Sequence, residues 1–219
     1  MRVKEHAVAT IGGAIRSKDV RRALRPGDAI FMSSVTDPYQ PIEHKLRLTR
    51  DIVEALLTVQ PRLTVQTRSP IARRDIDLFQ QFESIRVNIS VQTYSETVRL
   101  RYEPHAPSIK ERLKTAEALR TAGVPIGICV SPMLPAEDAS SFGRRLAGLD
   151  AAEYVATGFH PNGPGFGART SNATVEKLRA DGWTRRRYDA ARAAIAAELG
   201  PDRPLLSGRE GFAPAAARA

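Results

Sequence analysis

The sequence predicts an α/β protein: a parallel sheet with its helices outside. Three observations point there. Apolar runs of strand length alternate with stretches of helical periodicity, the links between them are short and carry turn residues, and several strands alternate apolar with small or polar positions. Right-handed crossovers follow from the same topology. The spacing of strand starts fits a (β/α) barrel and an open doubly wound sheet alike.

The elements follow in order. Residues 3–6 read as a short strand or lead-in, and residues 7–24 as a weakly amphipathic stretch interrupted by Gly12 and Gly13. Arg25, Pro26, Gly27 and Asp28 make a turn. Residues 29–32 are a short buried strand, which Asp37-Pro38 and Gln40-Pro41 prevent from continuing, and residues 46–57 repeat apolar side chains at helical spacing. The next units are a strand over 63–67 with a helix over 71–82, and a strand over 86–93 followed by a helical turn at 96–101 and a helix over 108–122, closed by Gly123. A strand over 125–130 with a helix over 137–149, and a last strand over 153–157, complete the alternation. After Gly158 comes a glycine- and proline-rich loop, residues 159–167, without the spacing of a phosphate-binding fingerprint. Helices are expected over 172–181 and 184–199, with Asn172 and Thr184 as N-caps. Residues 201–219 read as a disordered tail. The organisation is therefore a barrel-like core over 1–158, a loop and C-terminal helices over 159–200, and the tail.

The strands carry a second signal. Leu63, Val65 and Thr67 oppose Thr64, Gln66 and Arg68; Val87, Ile89 and Val91 oppose Asn88, Ser90 and Gln92; Ile126, Ile128 and Val130 oppose Gly127, Cys129 and Ser131. Buried parallel strands are usually apolar on both faces. One face that is small or polar three times over reads as the lining of a lumen wide enough for a ligand. A sheet wet on one side gives the same pattern.

Composition bounds the function. A chain of 219 residues, 42% hydrophobic with mixed charge, suits one folded domain with at most a small appendage. No run reaches the roughly eighteen apolar residues of a membrane span and the start has no signal-peptide core, so the expected location is the cytoplasm, with no membrane partner. One cysteine excludes an internal disulfide. The net charge of +9 is mostly arginine and is compatible with a nucleic-acid partner or with a solvated surface.

Ligands of α/β proteins sit at C-terminal strand ends, so Ser33, Ser34, Thr36, Asp37 and Glu43 are the first contact candidates, although Ser, Thr and Asp also cap helices. Glu43 and Glu103 suit lumen carboxylates, with pairing to arginine as the commoner fate. Tyr39 and Tyr94 suit stacking on an adenine or covering of the rim. His6, His44, His105 and His160 lack ligand spacing, and no metal site is assigned.

Residues 33–43 (SSVTDPYQPIE) resemble the corresponding segment of radical S-adenosylmethionine proteins of the spore photoproduct lyase type. Residues 66–69 (QTRS), 87–93 (VNISVQT), 102–104 (YEP) leading to Arg112-Leu113, and 130–133 (VSPM) resemble later segments of that family in order, covering about residues 1–150. The resemblance implies a partial (β/α)6 TIM-like barrel whose lumen holds S-adenosylmethionine against a 4Fe-4S cluster. In the family that cluster reductively cleaves the cofactor for radical chemistry on a substrate. The family's cofactor-holding positions fall here at Thr36, Arg68, Ser90 and Ser131. Hydroxyls suit ribose or the amino-acid head, and a guanidinium suits its carboxylate. Arg68 stands where the lyases tend to have lysine.

This sequence departs from the pattern in two ways. The family's Cys-x-x-x-Cys-x-x-Cys loop, which follows the first strand, is absent, and Cys129 lies within a strand, where a core or lumen residue is expected rather than a ligand. Ser34 stands where spore photoproduct lyase carries the cysteine that returns hydrogen, which argues against DNA lesion repair. The expectation is a barrel lacking its first strand and cluster loop, shortened or degenerate, without radical activity of its own. A non-catalytic domain binding a nucleotide, nucleic acid or partner protein is the alternative. An absent first strand leaves a sheet edge exposed, and exposed edges invite a complementing polypeptide or self-association.

Overall fold

The computed structural model describes residues 24–32, 36–159, 171–208 and 212. Six strands form one sheet: β1 (Ala29–Met32), β2 (Arg62–Thr67), β3 (Ile85–Ser90), β4 (Ile126–Val130), β5 (Glu153–Ala156) and β6 (Leu205–Leu206). Their spatial order is their chain order, and every neighbouring pair is parallel. That order separates the two architectures left open above. A doubly wound sheet reverses strand order at a switch point and carries helices on both faces, whereas a sheet that never reverses sends each right-handed crossover to the same side. The sheet is thus a barrel wall, and it is not closed: among the described residues β1 and β6 are its edges.

The covering layer follows the chain. α1 (Glu43–Leu46) and α2 (Leu48–Leu56) come after β1, a 3-10 helix (Pro70–Asp75) and α3 (Ile76–Phe79) after β2, and α4 (Glu96–Tyr102) and α5 (Ile109–Thr121) after β3. α6 (Ala139–Ala147) follows β4, while α7 (Asn172–Ala180) and α8 (Arg185–Leu199) lie between β5 and β6. The main core forms on the helix side from Leu63, Val65, Val87, Ile89, Ile126, Ile128 and Val130, the apolar set predicted by alternation. Register keeps them in rows, with Val65 beside Val87 and Val87 beside Ile126. Gly143 lets α6 approach α8 closely, since a Cβ there would lie 2.8 Å from Glu198 Cβ and 3.0 Å from the Ile195 Cα.

Several expectations are corrected. The helix predicted over 46–57 is broken at Arg47, whose φ of 53° is left-handed. Glu43, six residues upstream, supplies the capping carboxylate, its Oε2 accepting from Thr49 N at 3.0 Å. The helix predicted over 71–82 is split into a 3-10 helix and a short α-helix ending at Phe79, and at the break Asp75 turns a fully buried carboxylate inward to accept from the Tyr39 hydroxyl at 3.0 Å. β3 stops at Ser90 rather than Thr93, as the chain turns to offer the Gln92 carbonyl to Leu134 N and the Thr93 hydroxyl to the Pro135 carbonyl. Ser171, not Asn172, caps α7, whereas Thr184 caps α8 as expected. The expected disordered tail from Pro201 contains β6, paired with β5 through Tyr154↔Leu205 and Val155↔Leu206. Beyond it Phe212 is buried with Cys129 and Val155, against Phe31 and Leu206, so the lumen is filled at that level instead of open along its length. The strand expected at residues 3–6 and the loop after Phe159 lie outside the described residues. No helix among the described residues is long and apolar enough to cross a membrane.

Candidate cofactor-binding site

Because all strands are parallel, their C-terminal ends share one rim. Thr36 is exposed in the loop after β1, Arg68 follows β2, Ser90 ends β3, and Ser131 follows β4. The four predicted positions therefore sit at four successive strand ends. A cavity of about 740 Å³ lies at this rim, lined by Asp37, Arg68, Gln92, the loop 103–107, Leu134 and, from the C-terminal half, Phe159, Ser171 and Thr174. Of the four, Arg68 alone lines it. Ser90 is buried, and its carbonyl accepts from Arg112 Nη1 at 3.3 Å. The Ser131 hydroxyl is hydrogen-bonded to that of Thr157. Ser33 and Ser34 lie outside the described residues.

Asp37 and Glu43 serve the scaffold. Asp37 Oδ1 accepts from Tyr39 N at 2.9 Å and from the Thr67 hydroxyl at 2.6 Å, while Oδ2 accepts from Arg68 N at 2.9 Å. One carboxylate thus fastens the loop after β1 to the end of β2 and fixes the backbone of Arg68. Tyr39 is buried, and its hydroxyl is pushed up in pKa by burial and by Asp75, so its ring forms part of the wall. Tyr94 is exposed and stacks on Phe142 with ring centroids 5.8 Å apart, which is the rim-covering role.

Glu103 holds the arginines together. Its Oε1 accepts from Arg68 Nη1 and its Oε2 from Arg112 Nη2 at 2.9 Å. Arg112 is 1% exposed, and its other donors reach the Pro107 carbonyl at 3.0 Å and Gln92 Oε1 at 2.6 Å. Arg99, also buried, donates to the carbonyls of Glu103 and Ala106 at 3.2 and 2.8 Å and to Glu96 at 2.5 Å. Two arginines therefore pin the carbonyls of the loop that lines the cavity. Burial pushes the Arg112 guanidinium pKa down, and Glu103 opposes that shift. Arg68 is about a third exposed, and its Nε and Nη2 have no partner among the described residues. The pairing of Glu43 and Glu103 with arginine was anticipated, whereas the structural roles of Arg99 and Arg112 were not. The signal existed: Arg112 lies in the stripe of Ile109, Leu113 and Ala116, where a cation must be buried and partnered.

Cys129 is fully buried in β4, and burial pushes its thiol up to about 12. Its Sγ donates to Gln66 Oε1 at 3.8 Å. It is the lumen-lining residue expected from the alternation. No group of three metal-ligating side chains occurs among the described residues.

A parallel partial barrel with a cavity at its C-terminal strand ends defines an α/β protein built to hold a small ligand at its rim. The family model of the radical SAM superfamily matches residues 17–145, more than half of the chain, and the protein belongs to that superfamily. An uncharacterized protein of Methanocaldococcus jannaschii is 34% identical over 106 residues, 48% of this chain and 40% of the relative. A second, from Acidianus two-tailed virus, is 31% identical over 110 residues, 50% of this chain and 36% of its own length. The chain thus spans about two fifths of the curated relatives it matches. Among solved structures, a spore photoproduct lyase C140S mutant superposes with a TM-score of 0.55 at 17% identity, over 94% of this chain and 57% of that one. Streptococcus suis SuiB superposes with a TM-score of 0.53 at 10% identity, over 75% of this chain and 37% of its own. These similarities establish the partial radical SAM barrel.

Proposed function

We propose that this chain is the cofactor-holding part of a radical SAM protein and binds S-adenosylmethionine in the rim cavity. The observation that carries the reading is Arg68: it lines a cavity at the strand ends, its backbone is fixed by Asp37, and its Nε and Nη2 have no partner among the described residues. The surrounding charges support it. Among the described residues Arg68, Arg99 and Arg112 are met by Glu96, Glu103 and Asp37, and Asp37 is already committed to Tyr39 N, Thr67 Oγ1 and Arg68 N, which leaves the Nε and Nη2 donors of Arg68 for a ligand anion. Pro104, Pro107, Leu134 and Phe159 give the apolar wall that a nucleoside needs. Arg68 pairs the carboxylate of the cofactor's methionine end, while Thr36, Ser90 and Ser131 lie at the neighbouring strand ends behind the residues that line the cavity. Bound S-adenosylmethionine supplies an activated sulfonium; the residues of this chain bind it, orient it and shield it from water.

A 4Fe-4S cluster does not fit the residues present. It needs three thiolates, and the one cysteine of this sequence is a buried thiol held protonated within β4. No step of radical chemistry is therefore assigned to these residues. The cluster ligands come from outside them, on further sequence of the same polypeptide or on a complementing chain that pairs with the β1 edge. Intact-mass analysis of the protein purified from its own cells distinguishes these sources.

The test is calorimetric titration of the chain with S-adenosylmethionine and, separately, with short duplex DNA at two salt concentrations. Saturable binding of the cofactor is expected, lost in Arg68→Gln. Absence of cofactor binding together with DNA binding that weakens steeply with salt would replace this reading with a nucleic-acid-binding domain suggested by the charge of +9. Cleavage of the cofactor by the isolated chain under anaerobic reducing conditions would overturn the assignment of the cluster elsewhere.

A further inference from the structure

We infer that Glu103 is the positioning residue that holds Arg68 at the cavity wall, and that the Arg112–Glu103–Arg68 chain makes the rim selective for a ligand carrying a carboxylate over the same nucleoside without one. This inference rests on the proposed binding of S-adenosylmethionine and extends it to a residue of the cavity wall that acts through Arg68.

The argument starts from the flexibility of arginine. A guanidinium on a long side chain at a rim samples many rotamers, and fixing it for a ligand costs side-chain entropy unless the protein has already fixed it. Here Arg68 Nη1 donates to Glu103 Oε1, while Glu103 Oε2 accepts from Arg112 Nη2 at 2.9 Å. Glu103 is thus held from two sides. Arg112 cannot move to meet it differently, because its other donors are committed to Pro107 O, Ser90 O and Gln92 Oε1, at 3.0, 3.3 and 2.6 Å, and it is 1% exposed. The anchor reaches the main chain of β3 and the loop 103–107, so Arg68 is tied to the barrel wall through one carboxylate. Asp37 fixes its backbone independently through Arg68 N.

Charge makes the arrangement selective. Glu103 is shared between Arg68 and Arg112, and Asp37 is committed to backbone and hydroxyl donors, so the Nε–Nη2 edge of Arg68 is left to a second anion. A planar carboxylate on the free Nε–Nη2 edge of Arg68 forms paired, charge-assisted hydrogen bonds, and a ligand without that group leaves the edge to solvent. Replacing the Glu103 carboxylate with an amide keeps the shape of the bridge. It puts an NH2 group against one guanidinium and removes the negative charge that holds Arg68 and Arg112 together against their mutual repulsion.

The experiment measures the dissociation constants of S-adenosylmethionine and of 5′-methylthioadenosine, which keeps the nucleoside and lacks the amino acid, for the full chain and for Glu103→Gln. The wild type is expected to prefer S-adenosylmethionine, and E103Q to lose about tenfold or more of that preference while its affinity for 5′-methylthioadenosine stays unchanged. Retained nucleoside binding shows that the fold survives, which a merely structural defect would not give. In an Arg68→Gln background the same substitution is expected to change the preference no further. If E103Q does not fold, Glu103→Asp, which withdraws the carboxylate by one methylene, is expected to reduce the same ratio. A preference that survives either folded variant overturns the role of Glu103 alone. A wild type that binds neither compound overturns the cofactor reading beneath it.

Discussion

Arg112→Met removes a fully buried guanidinium and replaces it with an apolar chain of comparable length, so the loss is electrostatic rather than a large cavity. The substitution strands Gln92 Oε1, which accepts from Nη1 at 2.6 Å, and the Pro107 carbonyl, which accepts from Nε at 3.0 Å, and it takes one of two partners from Glu103. Breaking a buried pair from one side typically costs about 3–5 kcal/mol, because the groups left behind keep their desolvation penalty. For a chain of this size that corresponds to a melting temperature lower by roughly 6–20 °C. A total stability of about 5–15 kcal/mol leaves the variant folded at low temperature. Urea titration followed by circular dichroism gives the difference in free energy. Adding Glu103→Gln to Arg112→Met is expected to cost less than Glu103→Gln alone, with a coupling of about 1–3 kcal/mol, since the two share one contact. A loss below about 1 kcal/mol, or strictly additive effects, would show that water already reaches these groups and that Arg112 does not anchor the rim.

Other consequences can be read at the bench. The Cys129 thiol stays protonated in the folded chain up to about 12, whereas an unfolded thiol ionises near about 8.5. The unfolded chain releases the proton first, so the contribution is complete below about pH 8.5 and falls by about 1.4 kcal/mol per pH unit above it. Urea midpoints at pH 8 and pH 10 should therefore fall less in Cys129→Ala than in the wild type, and equal slopes would refute the burial. Phe212→Ala uncovers the same thiol: stability is expected to drop by about 2–3 kcal/mol, and labelling of native Cys129 by a thiol reagent to accelerate, whereas unchanged labelling would mean Phe212 does not cover the lumen. Gly127→Ala places a Cβ 2.2 Å from Asn88 Oδ1, and because Asn88 is held by Arg86 Nε at 3.0 Å, overpacking should cost about 1–3 kcal/mol. A neutral effect on the urea midpoint would show that Asn88 has another place to go.

The fold was legible where one period ruled a segment. Residues 63–67 and 126–130 alternate cleanly, and their apolar members form the core beneath the helices. The misread segments are those where a distant side chain overrides local preference. Asp75 lies within a helical pattern but turns inward to Tyr39, thirty-six residues away, at the point where the 3-10 helix gives way to a short α-helix. Leu205 and Leu206 are too short a run to announce a strand, and they become one because β5 offers an edge. The choice between barrel and doubly wound sheet turned on strand order, which no strand encodes by itself.

The site shows the same division more sharply. The family resemblance named Thr36, Arg68, Ser90 and Ser131, and alternation together with parallel topology is enough to locate the strand ends at which Arg68, Ser90 and Ser131 stand. What each polar group does there depends on partners from other units. Asp37 looked like a ligand contact, yet its two oxygens are taken by Tyr39 N, Thr67 Oγ1 and Arg68 N. Arg112 was given no role of its own in the sequence, yet it is buried and ties three segments of chain together. A buried charge must be partnered wherever it falls, and its partners are chosen by topology rather than by sequence neighbours. Arg68, whose Nε and Nη2 have no partner among the described residues, is thus identified by subtraction: Asp37, Glu103 and Arg112 have committed their polar groups to building the wall, and the cavity receives what they leave exposed.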